Sequence, residues 1–126
     1  MMINRKYKPF QTKAISWEDI EHFYNDLISK DWPLEAIIPL IHYIMNDNNL
    51  NQKLFPIVSL DKLIISIYNP IEWQRETLHI HYEKEKKLWN FKYYPYPYEK
   101  VEHERNYSGE VLVEKFQNYI NMLGWR

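Results

Sequence analysis

Two periods of hydrophobic residues divide the chain. Over residues 17–28 the apolar positions Trp17, Ile20, Tyr24, Leu27 and Ile28 recur at steps of three and four, the repeat of an amphipathic helix. Ser16, just before this run, can accept a hydrogen bond from an orphan amide of the first turn, and Asp19 completes a weak capping box. A second helix is predicted over "DWPLEAIIPLIHYIMND", where Leu34, Ile37, Ile38, Ile41, Ile44 and Met45 keep the same repeat. Pro33 suits its first turn, Pro39 inside the pattern predicts a kink or restart, and the polar stretch "NDNNLNQ" ends it.

Further along, the period shifts to two. "KLIISIY" (62–68) is apolar on both alternating sets, which predicts a central strand covered on both faces. "FPIVSL" before it reads either as a strand or as a last helical turn. In "TLHIHYE" (77–83) Leu78, Ile80 and Tyr82 face inward while His79 and His81 face outward. "LWNFKYY" (88–94) answers with Trp89, Phe91 and Tyr93, and "KEKK" between them predicts a hairpin loop joining an antiparallel pair. "EKVEHERNY" reads as a polar connection. Ser108 then caps a last helix striped by Leu112, Phe116, Ile120 and Leu123, with Gly124 placed for the left-handed conformation and Trp125 for a contact back onto the last turn. The predicted class is α+β: two N-terminal helices, an antiparallel sheet of three to four strands and a C-terminal helix. Residues 1–126 form one globular domain in this reading, and residues 1–13, with Arg5, Lys6, Lys8 and Lys13, form a basic arm or short edge segment.

Composition removes several function classes. Only two glycines are present, Gly109 and Gly124, so neither a dinucleotide-binding fingerprint nor a phosphate-binding P-loop can be written, and the nucleophile elbow is missing too. There is no cysteine, no apolar segment of membrane-spanning length and no signal-peptide pattern, which points to a soluble cytoplasmic protein. A net charge of −1 argues against nucleic-acid binding driven by global charge.

Candidate chemistry is sparse. His79 and His81 share one strand face, and His103 with Glu102 or Glu104 would have to join them for a metal site; the plainer account is a polar solvent face, so no metal or cofactor is assigned. His103, Glu102, Glu104, Arg105 and Tyr107 hold the residue types of acid–base chemistry, but in an extended segment His103 points away from both glutamates, so no catalytic residue is assigned. The clearest asymmetry is electrostatic: residues 14–47 carry one lysine and seven acids, a balance of −6. Glu18, His22, Asp26 and Asp31 are therefore candidate contacts for a basic partner. In "FKYYPYPYEK" the prolines Pro95 and Pro97 stop ladder pairing and stiffen the exit from the strand, so Tyr94, Tyr96 and Tyr98 join the candidate contact set.

A small, cysteine-free, glycine-poor chain rich in Tyr and Trp, with "LWNFKYY" and the closing "VLVEKFQNYINMLGW", resembles the immunity proteins of bacterial polymorphic and contact-dependent toxin systems. That resemblance implies a non-catalytic cytoplasmic inhibitor that binds a cognate toxin domain, often a nuclease, and it carries no site residues over. The alternative is a small enzyme or ligand-binding domain with an aromatic pocket lined by Trp73, Trp89 and Tyr93.

Overall fold

The first helix, α1 (Trp17–Ser29), begins where the sequence places it: Ser16 is its N-cap and its side chain accepts from the Asp19 amide at 3.0 Å. The computed structural model describes residues 11–72, 75–95 and 103–125. Trp17, Ile20 and Tyr24 bury the inner face of α1, and Leu27 and Ile28 pack partly against the same core. Its end is a left-handed turn at Asp31, φ 70°, where the Trp32 amide donates to the Leu27 carbonyl and the Asp31 amide to Ile28. This double bond pattern closes a helix most cheaply with glycine.

The second helix, α2 (Ile37–Asn46), starts four residues later than the expected Pro33. Pro39 explains the shift. Its ring would clash with the Glu35 carbonyl in a continuous helix and it has no amide to donate, so it belongs in a first turn, where amides have no partner anyway. Residues 34–36 form turns instead, with the Ile37 amide on Leu34 and the Ile38 amide on Glu35. The stretch expected only to end α2 also contains a one-turn helix, α3 (Leu50–Lys53), whose leading amides at Asn49 and Leu50 are held by the Asp47 carboxylate at 3.0 Å.

The sheet has five antiparallel strands in the order β2-β3-β5-β6-β7, not three to four. They are β2 (Phe55–Ser59), β3 (Lys62–Ser66), β5 (Thr77–Glu83), β6 (Leu88–Tyr94) and β7 (His103–Tyr107). Two short strands, β1 (Gln11–Thr12) and β4 (Ile71–Glu72), pair with each other in a separate two-stranded ladder; residues 1–10 of the expected basic segment lie outside the described residues. The strand missed in the sequence is β7, read there as a polar connection. It sits at the edge of the sheet, where an alternating apolar row is not required, and "HERNY" shows only Tyr107 as a β-favouring residue.

Register fixes which side chains share a face. Leu63 lies opposite Ile80, Leu78 opposite Tyr93, and Trp89 opposite Tyr107, so these residues form the face that α1, α2 and α4 (Leu112–Leu123) cover. The other face carries Ile64, Ser66, Thr77, His79, His81, Asn90 and Lys92. β3 is covered on both faces, as predicted: Leu63, Ile64, Ile65 and Ser66 are all buried. A single turn of 3-10 helix (Gly109–Val111) leads into α4 after Ser108, whose side chain makes no capping bond. α4 ends on Gly124 at φ 75°, and Trp125 is buried and donates its amide to the Ile120 carbonyl. Its ring meets Tyr93 edge-on at 6.0 Å.

Gly109 is required by proximity. A Cβ there would lie 2.7 Å from the Ala36 Cβ and 3.4 Å from the Trp89 indole nitrogen. Gly109→Ala should therefore cost about 1–3 kcal/mol in chemical denaturation. Adding Ala36→Gly should recover part of that loss; equal stability of the single and double variants would show that the contact is not what excludes a methyl group.

Candidate functional site

The expected contact residues divide between two regions. Glu18, His22 and Asp26 stand at steps of four on the exposed side of α1, as the sequence implies. Much of the charge around them is engaged locally. Asp26 pairs with Lys30 at 3.0 Å, Glu21 with His42, and Asp47 holds the start of α3. Glu18 lines an open cleft of about 670 Å³ at the N-terminal end of α1, with Trp17, Asn46, Asn51, Phe55 and Asn69 around it. Tyr94 is half-buried with its ring centroid 4.5 Å from that of His79, so it packs on the sheet rather than standing free. Tyr96, Tyr98 and Trp73 lie outside the described residues. Trp89 and Tyr93, the other walls of the alternative aromatic pocket, are core residues instead.

The histidines do not converge. His79 and His81 lie on the helix-free face, whereas His103 pairs with Tyr93 and faces the helices. Among the described residues no group of three or more His, Cys, Asp or Glu is arranged to hold a metal. His81 reaches Asp61 at 3.4 Å. His79 is largely buried; its Nε2 lies 3.2 Å from the Thr77 hydroxyl and its Nδ1 is buried with no hydrogen-bond partner. Burial first, then the charges of Lys62 and Lys92, push its pKa down from 6.5 to about 3. Such an imidazole is neutral at pH 7 and a poor general base there.

One end of the molecule gathers features that the sequence did not flag. The β2–β3 turn is Leu60-Asp61, between the paired Ser59 and Lys62. Leu60 holds φ 59° and is 91% exposed. Left-handed first positions in such turns usually belong to glycine or asparagine, because a side chain there costs about 1–2 kcal/mol. Asp31 in the α1–α2 loop and Lys87 in the β5–β6 loop, φ 70° and 55°, are the other two non-glycine residues of this kind among the described residues. All three loops lie together. The Tyr24 hydroxyl, from α1, donates to the Asp61 carbonyl at 2.9 Å, Asp61 contacts His81 near the end of β5, and the Lys84 ammonium sits 5.6 Å over the Trp32 ring. Trp32 is 37% exposed, while Trp125, which follows the equivalent turn at the end of α4, is buried. Leu60 and Trp32 are thus the exposed large apolar side chains carried by the loops at this end, with the Lys84 ammonium over Trp32.

Compared with family models, with curated proteins and with solved structures, the chain matches none. No helix among the described residues is long and apolar enough to cross a membrane.

The state of His79 makes stability acid-sensitive. The unfolded chain binds the proton more readily between about 3 and 6.5, so the stability gained from neutral His79 is complete above that window and is lost as pH falls through it. The loss is at most about 1.4 kcal/mol per pH unit. Urea midpoints should show the stability difference between wild type and His79→Gln shrinking from pH 7 to pH 5. A difference independent of pH would remove His79 as the sensor.

Proposed function

We propose that this chain is a non-catalytic protein-binding inhibitor, an immunity protein that neutralises a cognate bacterial toxin domain in the cytoplasm by docking the tip that carries Leu60 and Trp32. The observation that carries this reading is Leu60, a large aliphatic side chain 91% exposed at φ 59°. Folding gains nothing from it there, since glycine would relieve the backbone and a polar residue would suit the solvent. A binding surface gains an apolar anchor on a short, paired hairpin that loses little entropy on docking.

Trp32 supplies the aromatic neighbour that such surfaces favour, and the charged side chains of the surrounding loops supply a polar rim. The acidic balance of residues 14–47 suits a partner with a basic face, as nucleases present to their phosphate substrates. His79 held neutral and His81 paired to Asp61 fit a structural use of those imidazoles better than an acid–base one.

The gene's neighbourhood should encode a toxin domain, and co-expression with that domain should restore growth of the host cell. Leu60→Asp should abolish that protection and raise Kd by about a hundredfold or more, a loss near 2.7 kcal/mol. Leu60→Gly should also lose protection while leaving stability unchanged or raising it by up to about 1 kcal/mol. If wild type gives no protection, the immunity reading fails; if Leu60→Asp still protects, the tip is not the docking surface.

A further inference from the structure

We infer that the cleft between β7 and α4 binds a phosphoryl oxyanion, as free phosphate or as the phosphate of a small ester. His103, Arg105 and Tyr107 project into it from alternate positions of β7, and Lys115, Asn118 and Tyr119 meet them from successive turns of α4. Among the described residues no carboxylate lines it. Lys30, Arg75, Lys86 and Lys92 each lie within 4.0 Å of an acid, but neither Arg105 nor Lys115 has such a partner among the described residues.

The fold keeps the neighbouring acid away. Glu104 adjoins Arg105 in sequence, yet alternation along β7 sends its side chain to the other face of the sheet, where it accepts from the Asn90 amide at 2.8 Å. The Arg105 guanidinium is meanwhile steadied by one bond, Nη1 to the Glu104 carbonyl at 2.8 Å, which leaves most of its donors for a ligand. Lys115 is held with its ammonium 5.8 Å over the Tyr107 ring. The lining brings a guanidinium from β7 and an ammonium from α4 to one cleft, with the Asn118 amide and the His103 ring beside them, a donor set that suits an oxyanion such as a phosphoryl group.

Size agrees. The cleft is about 140 Å³, well above the roughly 10–15 Å³ that a single water requires. That leaves room for one phosphoryl group, and Met122 of the lining is 56% exposed. Neither Leu60 nor Trp32 lines it, so the site stands or falls apart from the immunity reading.

The test is a chemical-shift titration of the full chain at constant ionic strength with inorganic phosphate, a nucleoside 5′-monophosphate and the matching nucleoside. Phosphate and the monophosphate should give saturable shifts confined to residues 103–107 and 115–122, and the nucleoside should give none. Affinity at least about tenfold higher for the monophosphate identifies an ester site, and equal affinity identifies a site for free phosphate. Arg105→Gln and Lys115→Gln, both at the surface of the fold, should each weaken binding by about tenfold with unchanged thermal midpoints, while Lys86→Gln binds as wild type does. Absence of saturable shifts in the cleft overturns the proposal, as does binding that survives both cleft substitutions.

Discussion

Two hydrogen bonds from aromatic side chains to backbone carbonyls set the position of α1, and the rest of the surface follows from them. The Trp17 indole donates to the Leu54 carbonyl at 3.0 Å, at the start of β2, and the Tyr24 hydroxyl donates to the Asp61 carbonyl at 2.9 Å, in the β2–β3 turn. Both span 37 residues, so α1 runs alongside β2 in the same direction and is tied at two levels. Each bond satisfies a polar atom at the rim of the core, where an unpaired group costs about 1–3 kcal/mol. Burial pushes the Tyr24 phenol well above its ordinary pKa, with Asp61 adding to the effect, so the donor is retained across all ordinary conditions. The consequence is spatial: the C-terminal end of α1 and its closing turn at Asp31 come to rest beside the hairpin tip that carries Leu60.

The two faces of the sheet are held by different physics. The helix-covered face is apolar and its rings interlock, with Phe91 meeting Tyr107 edge-on at 5.2 Å and Tyr119 at 5.5 Å. The other face buries polar groups, some bonded and one, the His79 Nδ1, without a partner. Asn90 is buried and its amide donates to both Glu104 and Asn106, at 2.8 and 2.9 Å, which fastens the edge strand β7 to β6 from that side. Alternation along β7 places Glu104 and Asn106 on this side, with Lys92 4.0 Å from the Glu104 carboxylate, and leaves His103, Arg105 and Tyr107 on the side that faces α4.

How much of this the sequence shows depends on whether an element is specified locally. β5 and β6 match their expected limits, since an alternating row of Leu78, Ile80, Trp89 and Phe91 has only one way to bury itself. α1 and the Gly124 turn are likewise announced by a cap, a stripe and a stop. α2 begins later than Pro33 because two prolines compete for one first turn, and the restart expected at Pro39 is the outcome, with Pro39 in the first turn of the helix. β7 was missed because edge strands are defined by a neighbour, here β6, and not by their own pattern. The tip was invisible for a similar reason. Nothing in "VSLDKL" marks Leu60 as exposed, because the turn between Ser59 and Lys62 that excludes it from both faces is a property of the pairing.

The structure also changes what the acidic bias of residues 14–47 amounts to. Glu18 and Asp19 lie in the first turn of α1, where a negative charge complements the helix dipole. Glu21, Asp26 and Asp47 are matched by His42, Lys30 and backbone amides of α3. That leaves Asp31 and Glu35, both exposed, both in the connection between α1 and α2, and neither in an ion pair among the described residues. They flank Trp32 in the chain. The acidic bias that in the sequence appears as one helix face is divided, in the fold, between helix-dipole positions, local pairs and the two exposed carboxylates of the α1–α2 connection, where the Lys84 ammonium also sits over Trp32.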